Sequence, residues 1–317
     1  MPNGNVTLLD ASKSGSDSHK AGVVETIISE SPLIEMVPWM SFSGTALKHS
    51  EEGTLPNVQF RRVNEGFSSS WGSDNEHFWG VAILGGETKV DRFLVDVVGN
   101  EESIEAKQWR KLAKANAMRF DYEAIEGTGS AASKGFKGMK ALVDEGFGQK
   151  FSAGTNGAAL TLEMLDEALD LFRNQGRPDL LLVNRFHRRK VTALARGTYS
   201  GYSLIDVGTD TFGRKVGMYD GIPMRITGDA IDGSGNIVSL QDFNETQGSS
   251  NVTSSLYAMK LGEDDVTGLL GKGGSFQVQS FGELESAPQR MGRLEWYPGL
   301  AIFNKYSVVR LHGITEA

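Results

Sequence analysis

A chain of 317 residues and 34.4 kDa is long enough to fold as one large lobe or as two, with a real core. Its 40 Asp and Glu against 32 Lys and Arg leave a net charge of −8 and a pI near 5.3, which argues against a protein that coats nucleic acid. It has no cysteine, so disulfides, zinc-thiolate sites, iron–sulfur clusters and thiol nucleophiles are excluded together.

Residues 1–22 are rich in Ser, Gly, Asn and Asp, with Val6, Leu8 and Leu9 as apolar anchors, and are expected to form a flexible arm. From 23 to 39 the sequence is dense in apolar and β-branched residues but interrupted by Pro32 and Pro38, which permits short docking pieces and no long element. Residues 44–100 set strand-like runs at 58–63 and 78–84 on either side of a polar tip at 68–75, the pattern of a long hairpin. Its apolar residues are too few for a core, and an isolated hairpin is marginal in water. It is either an ordinary surface excursion or an element stabilised by a neighbouring subunit.

Asn100 can cap a helix opened by Glu101 and Glu102, and Ala106, Trp109, Ala113, Ala117, Phe120 and Ala124 then recur three or four apart as far as about Glu126. At ~1.5 Å per residue such a helix is roughly 39 Å long, with a narrow apolar stripe that another backbone can approach closely. Residues 134–149 read as a glycine-rich loop around a short helix at 139–145. Thr161 then caps a helix with Leu162, Leu165, Leu169 and Phe172 on one face, and Gly176 and Pro178 force a turn. Leu180, Leu181, Leu182 and Val183 read as a strand buried on both faces. Asn184 caps a basic helix over 185–196 with Phe186, Lys190, Ala193 and Leu194 aligned. Further strands are expected at 212–218, 222–227, 255–259 and 275–280, a glycine-rich turn at 228–236, and a continuous β path over 292–314.

No motif nominates a catalytic, cofactor-binding or metal-binding residue. The run from Gly268 to Ser275 resembles a phosphate loop, but two residues separate its first glycine from Gly271-Lys272 where four are needed, and Gly273 follows the lysine. His19, His49, His77, His187 and His312 are scattered, with no pair at helical spacing. Glu263-Asp264-Asp265 lacks the alternation of a calcium loop and reads as a solvated turn. Arg185, Arg188, Arg189, Lys190 and Arg196 form the one charge cluster, open to three readings: a wet helix face, phosphate contact, or pairing with acids of a neighbouring subunit. Hydrophobic content of 39% with 39 glycines suggests extended, turn-rich parts. No apolar run approaches the ~20 residues a bilayer needs and the start lacks a basic-then-apolar signal, so a soluble intracellular product with no membrane partner is expected.

Several of these stretches resemble tailed-bacteriophage major capsid proteins of the HK97-fold family. The unit over 161–196 is similar to the corresponding capsid segment, and TIISESPLIE, from Thr26 to Glu35, looks like the signature that closes the N-terminal arm. GTLPNVQFRRVNEG, at 53–66, is similar to the start of the extended loop that these proteins lay across the adjacent protomer. The helix ending near Glu126 matches the family's spine helix in place and length, and RLEWYPGLAIFNKYSVVRLHGI, at 293–314, resembles its C-terminal signature. The resemblance thus covers almost the whole chain in the expected order.

The resemblance implies an α+β, HK97-like capsid fold: an N-terminal arm over 1–43, an extended hairpin over 44–100, a peripheral domain with the spine helix over 101–155 and 276–305, and an axial domain over 156–275 and 306–317. It implies a structural protein and no enzyme, self-assembling as hexamers and pentamers into the icosahedral head of a tailed phage that encloses double-stranded DNA without specific binding. The implied partners are a portal and a separate scaffolding protein, and the implied location is the virion, after assembly in the host cytoplasm. The nearest rivals are an encapsulin-like nanocompartment shell, which uses the same fold, and an α/β enzyme with no recognisable motif.

Overall fold

The computed structural model describes residues 23, 26–27, 30–98, 104–173, 176–198, 205–209, 215–272, 276–284 and 287–316. The arm over 1–22 and the cap residues Asn100, Glu101 and Glu102 lie outside the described residues. The chain begins with α1 (Pro32–Met36), β1 (Trp39–Ser41), β2 (Ala46–Thr54), β3 (Ser73–Gly80), β4 (Leu84–Asp91) and α2 (Arg92–Val98). The long helix α3 (Ile104–Glu126) follows, then α4 (Met139–Asp144), β5 (Gln149–Ser152), β6 (Ala158–Ala159), α5 (Leu162–Asp170), β7 (Leu180–Val183) and α6 (Arg185–Thr198). The remainder is β: β8 (Ile205–Thr209), β9 (Lys215–Tyr219), β10 (Ile222–Ile226), β11 (Asp229–Ile231), β12 (Ile237–Ser239), β13 (Glu245–Gln247) and β14 (Ser250–Met259). It closes with β15 (Val266–Leu270), β16 (Gln277–Leu284), β17 (Ala287–Trp296), β18 (Pro298–Ile302) and β19 (Val308–Thr315).

The largest sheet runs β5-β19-β14-β7-β10-β9-β8, with β13 beside β14 and β6 beside β19. Its middle strands are apolar on both faces because each face meets a different core. Leu181, Val183, Leu256, Ala258, Val309 and Leu311 point into one core with Leu165 and Ala168 of α5 and Val191 of α6. Leu180, Leu182, Tyr257, Met259 and Val308 point into the other, with α3, α4 and the segment around α1. Alternation of side chains along a strand makes this double duty possible. The expectation of a strand at 180–183 buried on both faces holds: all four side chains are fully buried.

The second core is centred on Trp296 of β17, whose ring lies 5.2 Å from Trp39, 5.0 Å from Phe120 of α3 and 4.5 Å from Phe276. α3 lies along β4 and β11, and its alanines at 113, 117 and 124 are fully buried. Ala106 and Trp109, expected on the same stripe, are half-buried. Gly292 of β17 has no side chain because the Trp109 ring occupies the place of its Cβ.

Four expectations are corrected. Residues 58–63 are not a strand: the ribbon strands are the more polar β2 and β3, and residues 55–72 form an irregular loop. There the backbone N–H groups of Asn57 and Arg62 donate to the Ser70 hydroxyl and the Glu65 carboxylate, 2.7 and 2.8 Å away, so the loop bonds to its own side chains. α5 stops at Asp170 and not at Phe172, since the N–H groups of Leu171 and Phe172 turn back to the carbonyls of Ala168 and Leu169 in a tighter final turn. α6 buries His187, Val191 and Ala195, not the face with Phe186, Lys190, Ala193 and Leu194. Asp265 is buried and paired with Lys260 at 3.2 Å, whereas Glu263 and Asp264 are exposed.

Replacing Gly292 with Val should destabilise the fold by about 1–3 kcal/mol, because the added methyls displace the Trp109 ring. In denaturant melts the loss should be smaller when Trp109 is also Ala; strictly additive losses would show that ring and glycine do not meet.

Candidate functional site

Two features of this chain are not needed for an isolated globular fold: a loop that buries nothing, and a charged junction in the interior. The loop is carried by the ribbon of β2 and β3, paired from Ala46 with Gly80 to Thr54 with Ser73. The base of the ribbon is anchored, because the Trp79 ring meets Phe147 at 4.9 Å and Phe303 at 6.3 Å, and His49 lies 4.8 Å from Phe303. Beyond the base the large apolar side chains are left exposed. Leu55, Val58, Phe60, Val63, Phe67 and Trp71 are each 66% exposed or more, and Phe60 is completely so.

Local contacts give the loop a shape without a core. The Arg61 guanidinium lies 5.2 Å from the centre of the Phe67 ring and donates to the Glu65 carbonyl, and Asn64 takes a left-handed φ of 70° at the turn. Burying a large apolar side chain is worth about 1.5–3 kcal/mol, so six of them hold on the order of 10 kcal/mol that folding leaves unused. Phe93, Leu94 and Val97 on α2 and Ile83 before β4 add further exposed apolar surface.

The interior junction joins α3, α4 and the large sheet. Arg310 of β19 donates to Glu245 at 2.9 Å, to the Ser255 hydroxyl at 3.1 Å and to Asp144 at 3.2 Å. Lys140 of α4 meets Glu245 at 3.1 Å and Glu126 at 2.8 Å, and the Ser255 hydroxyl also donates to Glu245. Burial alone would raise the Glu245 carboxyl, but Arg310, Ser255 and Lys140 outweigh it and hold its pKa below the ordinary value.

A second buried carboxyl behaves in the opposite way. Asp121 of α3 accepts a hydrogen bond of 2.5 Å from Ser31, which in turn caps α1 by accepting from the Ile34 N–H. Burial pushes Asp121 up to about 7, and the Ser31 hydroxyl offsets only part of that. Glu35, four residues on, pairs with Arg225 of β10 at 2.7 Å. The segment around α1 is therefore held to the body by one protonatable contact and two ion pairs, the second between Glu30 and Lys114 of α3 at 3.2 Å, with Ile27, Leu33, Ile34 and Val37 in the core beneath.

The residues weighed from sequence are not gathered into a site. Among the described residues no three His, Asp or Glu side chains are placed to hold a metal ion. His49 and His77 are cross-strand neighbours in the ribbon, and His77 meets Glu51 at 3.4 Å. His187 is fully buried, burial lowers its pKa to about 4, and neither ring nitrogen has a partner. His19 lies outside the described residues. Gly268 belongs to β15, where its bare backbone accommodates the Trp39 ring, and residues 273–275 lie outside the described residues. Arg185, Arg188, Arg189 and Arg196 are exposed on α6, and Lys190 is half-buried.

No protein-family model and no curated protein matches the sequence. Solved structures do match. The holo-SrpI encapsulin complex from Synechococcus elongatus PCC 7942 superposes with a TM-score of 0.62 at 15% identity, over 90% of this chain and 88% of that one. A chain from Mycobacterium phage Bobi gives 0.59 at 12% identity, over 89% of each chain. The capsid of a native GTA particle gives 0.58 at 12% identity, over 90% of this chain and 91% of the other. The chain has the HK97 capsid fold.

Within the HK97 fold the sequence reading missed the junction of Arg310, Glu245, Lys140 and Asp144. Its members are up to 170 residues apart, and no local periodicity links them. The available signal was Arg310 itself, a lone cation in the otherwise apolar run VVRL at 308–311. Replacing Arg310 with Met should cost about 3–5 kcal/mol in chemical denaturation, since the buried Glu245 loses its nearest cation and keeps only Lys140 and Ser255. Asp121 carries a pH signature of its own. Its carboxyl binds a proton more tightly in the folded chain, so stability should fall as pH rises from 3.8 to about 7 and then level off. Asp121→Asn should flatten thermal melts over that window; an unchanged slope would place the titrating group elsewhere.

Proposed function

We propose that this protein is a shell protomer, the major capsid protein that self-assembles into the icosahedral head of a tailed phage and encloses its double-stranded DNA. The observation that carries the proposal is the loop at 55–72, whose six large apolar side chains find no cover within a chain that has the fold of capsid and encapsulin subunits. Exposed apolar surface on this scale marks a protein interface, and copies of the same chain are the partner that a closed shell supplies. On this reading the arm (1–43) and the hairpin (44–100) reach neighbours. The peripheral part (101–155 and 276–305) tiles the shell, and the axial part (156–275 and 306–317) meets its equivalents around the symmetry axes of pentamers and hexamers. DNA is held by enclosure, a portal and a separate scaffolding protein complete the head, assembly takes place in the host cytoplasm, and no catalytic role is assigned.

A second reading is the shell of a bacterial nanocompartment, favoured by the encapsulin complex, which superposes at a TM-score of 0.62. The contents separate the two: particles isolated from the native source should protect DNA from nuclease if they are heads, and a protein cargo if they are compartments.

The loop itself is tested with Phe60 and Trp71 both replaced by Ser. Each side chain is exposed in the protomer, so the melting behaviour should stay within ~0.5 kcal/mol of the parent. Shells, counted in negative-stain micrographs and by sedimentation, should be lost. Normal shells from the double variant would remove the loop from assembly.

A further inference from the structure

The outward faces of α5 and α6 carry opposite charges. On α5 every exposed position within the helix is acidic: Glu163, Asp166, Glu167 and Asp170. On α6 the exposed charges are Arg185, Arg188, Arg189 and Arg196. The two helices pack on each other and cover the same core of the large sheet, so the two faces stand side by side on one lobe.

Most of these charges work against the helices that carry them, although Glu163 in the first turn of α5 and Arg196 in the last turn of α6 suit their dipoles. Glu163 and Glu167, and Asp166 and Asp170, are like charges four apart on α5; Arg185 and Arg189 repeat this on α6. Asp170 sits at the negative end of its helix dipole, and Arg185 and Arg188 crowd the positive end of theirs. Within the chain little relieves this. Asp166 accepts from the Tyr219 hydroxyl at 2.7 Å and Arg189 lies over the Phe186 ring at 5.5 Å. Among the described residues, Glu163, Glu167, Asp170, Arg185, Arg188 and Arg196 form no ion pair. A polyanion such as DNA would meet the basic face only by approaching the acidic one as well, in a chain of net charge −8.

We propose that the acidic face of α5 docks on the basic face of α6 in a second copy of this chain, so that each lobe offers one charged face to each of two neighbours. The inference deepens the shell reading and rests on it. Opposed faces of this kind contribute orientation and partner choice more than raw affinity.

The test uses charge reversal in the full chain: Arg188→Glu with Arg189→Glu, Glu163→Lys with Glu167→Lys, and all four together, each checked for native circular dichroism. All four positions are exposed, so folding should persist, and Arg188→Gln with Arg189→Gln serves as a milder pair. At low salt each two-fold reversal should cut the assembled fraction by about tenfold or more, and the four-fold variant should recover it to within about twofold, because the complementarity is restored with the signs exchanged. Assembly by both two-fold variants at the parental level would overturn the docking, as would a four-fold variant no better than either. In both cases shells from the parent would leave the shell reading standing, whereas a parent that never assembles would remove both. Tight, salt-sensitive binding of duplex DNA by the parent, lost in the Arg188→Glu, Arg189→Glu variant while shells form normally, would instead assign α6 to nucleic acid.

Discussion

The middle strands of the large sheet have to be apolar on both sides, and the rest of the architecture follows from that. β7, β14 and β19 serve as a common wall between two cores, so Leu181 and Leu182, adjacent in sequence, end in different interiors. A wall shared in this way couples the two halves of the chain more tightly than a linker would, because neither core can open without exposing the back of the other. It also fixes where polar groups can go. Arg310 interrupts an otherwise apolar run of a buried strand, and it is tolerated because Glu245, Ser255 and Asp144 converge on it. Such a cluster is poor evidence for net stability, since the desolvation of its charges offsets much of their attraction. What it adds is direction: Lys140 and Asp144 of α4 meet Glu245 and Arg310 at fixed points of the sheet.

Against this over-determined interior, the ribbon is under-determined. Its base is stapled by Trp79, Phe147 and Phe303, while the large apolar side chains of residues 55–72 are left exposed. A monomer selected for solubility would not keep Phe60 and Trp71 in water. The contrast between stapled base and bare loop is what an element made to be completed by another molecule requires: one end must be positioned before the partner arrives, and the other must remain available.

Much of this was legible in the sequence, and the misses share a cause. Helix α3, strand β7, the caps at Thr161 and Asn184 and the terminal β path were readable because their signals are local: a cap three residues from its N–H, or a run of four aliphatics. The Thr161 hydroxyl accepts from the Met164 N–H and the Asn184 side-chain amide oxygen from the His187 N–H, as such caps should. The ribbon strands are hard to place from sequence because β-branched and aromatic residues at 58–63 look like a strand when burial is unknown, whereas the true strand β2, ALKHSEEGT, is mostly polar. The buried face of α6 is hard to read from sequence because a histidine, His187, is its most buried residue. The buried carboxyls were invisible, since nothing in a list of residues distinguishes Asp121, which is enclosed with Ser31 from 90 positions away, from any other acid on an amphipathic helix.

The two kinds of unsatisfied surface on this chain do different physical work. Apolar contact is strong but indifferent to direction, so a loop bearing Phe60 and Trp71 would hold neighbours together without stating how they are turned. Opposed charged faces are weak in salt water but sensitive to register, because sliding one helix past the other brings like charges together. A closed shell needs both properties, and in the same subunit: affinity enough to condense, and an error cost high enough that a misoriented neighbour leaves before it is sealed in. The chain separates them in space, with the apolar surface on the ribbon loop and the charge on α5 and α6. Because salt screens the second and not the first, a shell built from this chain would capture and correct neighbours by forces that respond independently to the medium.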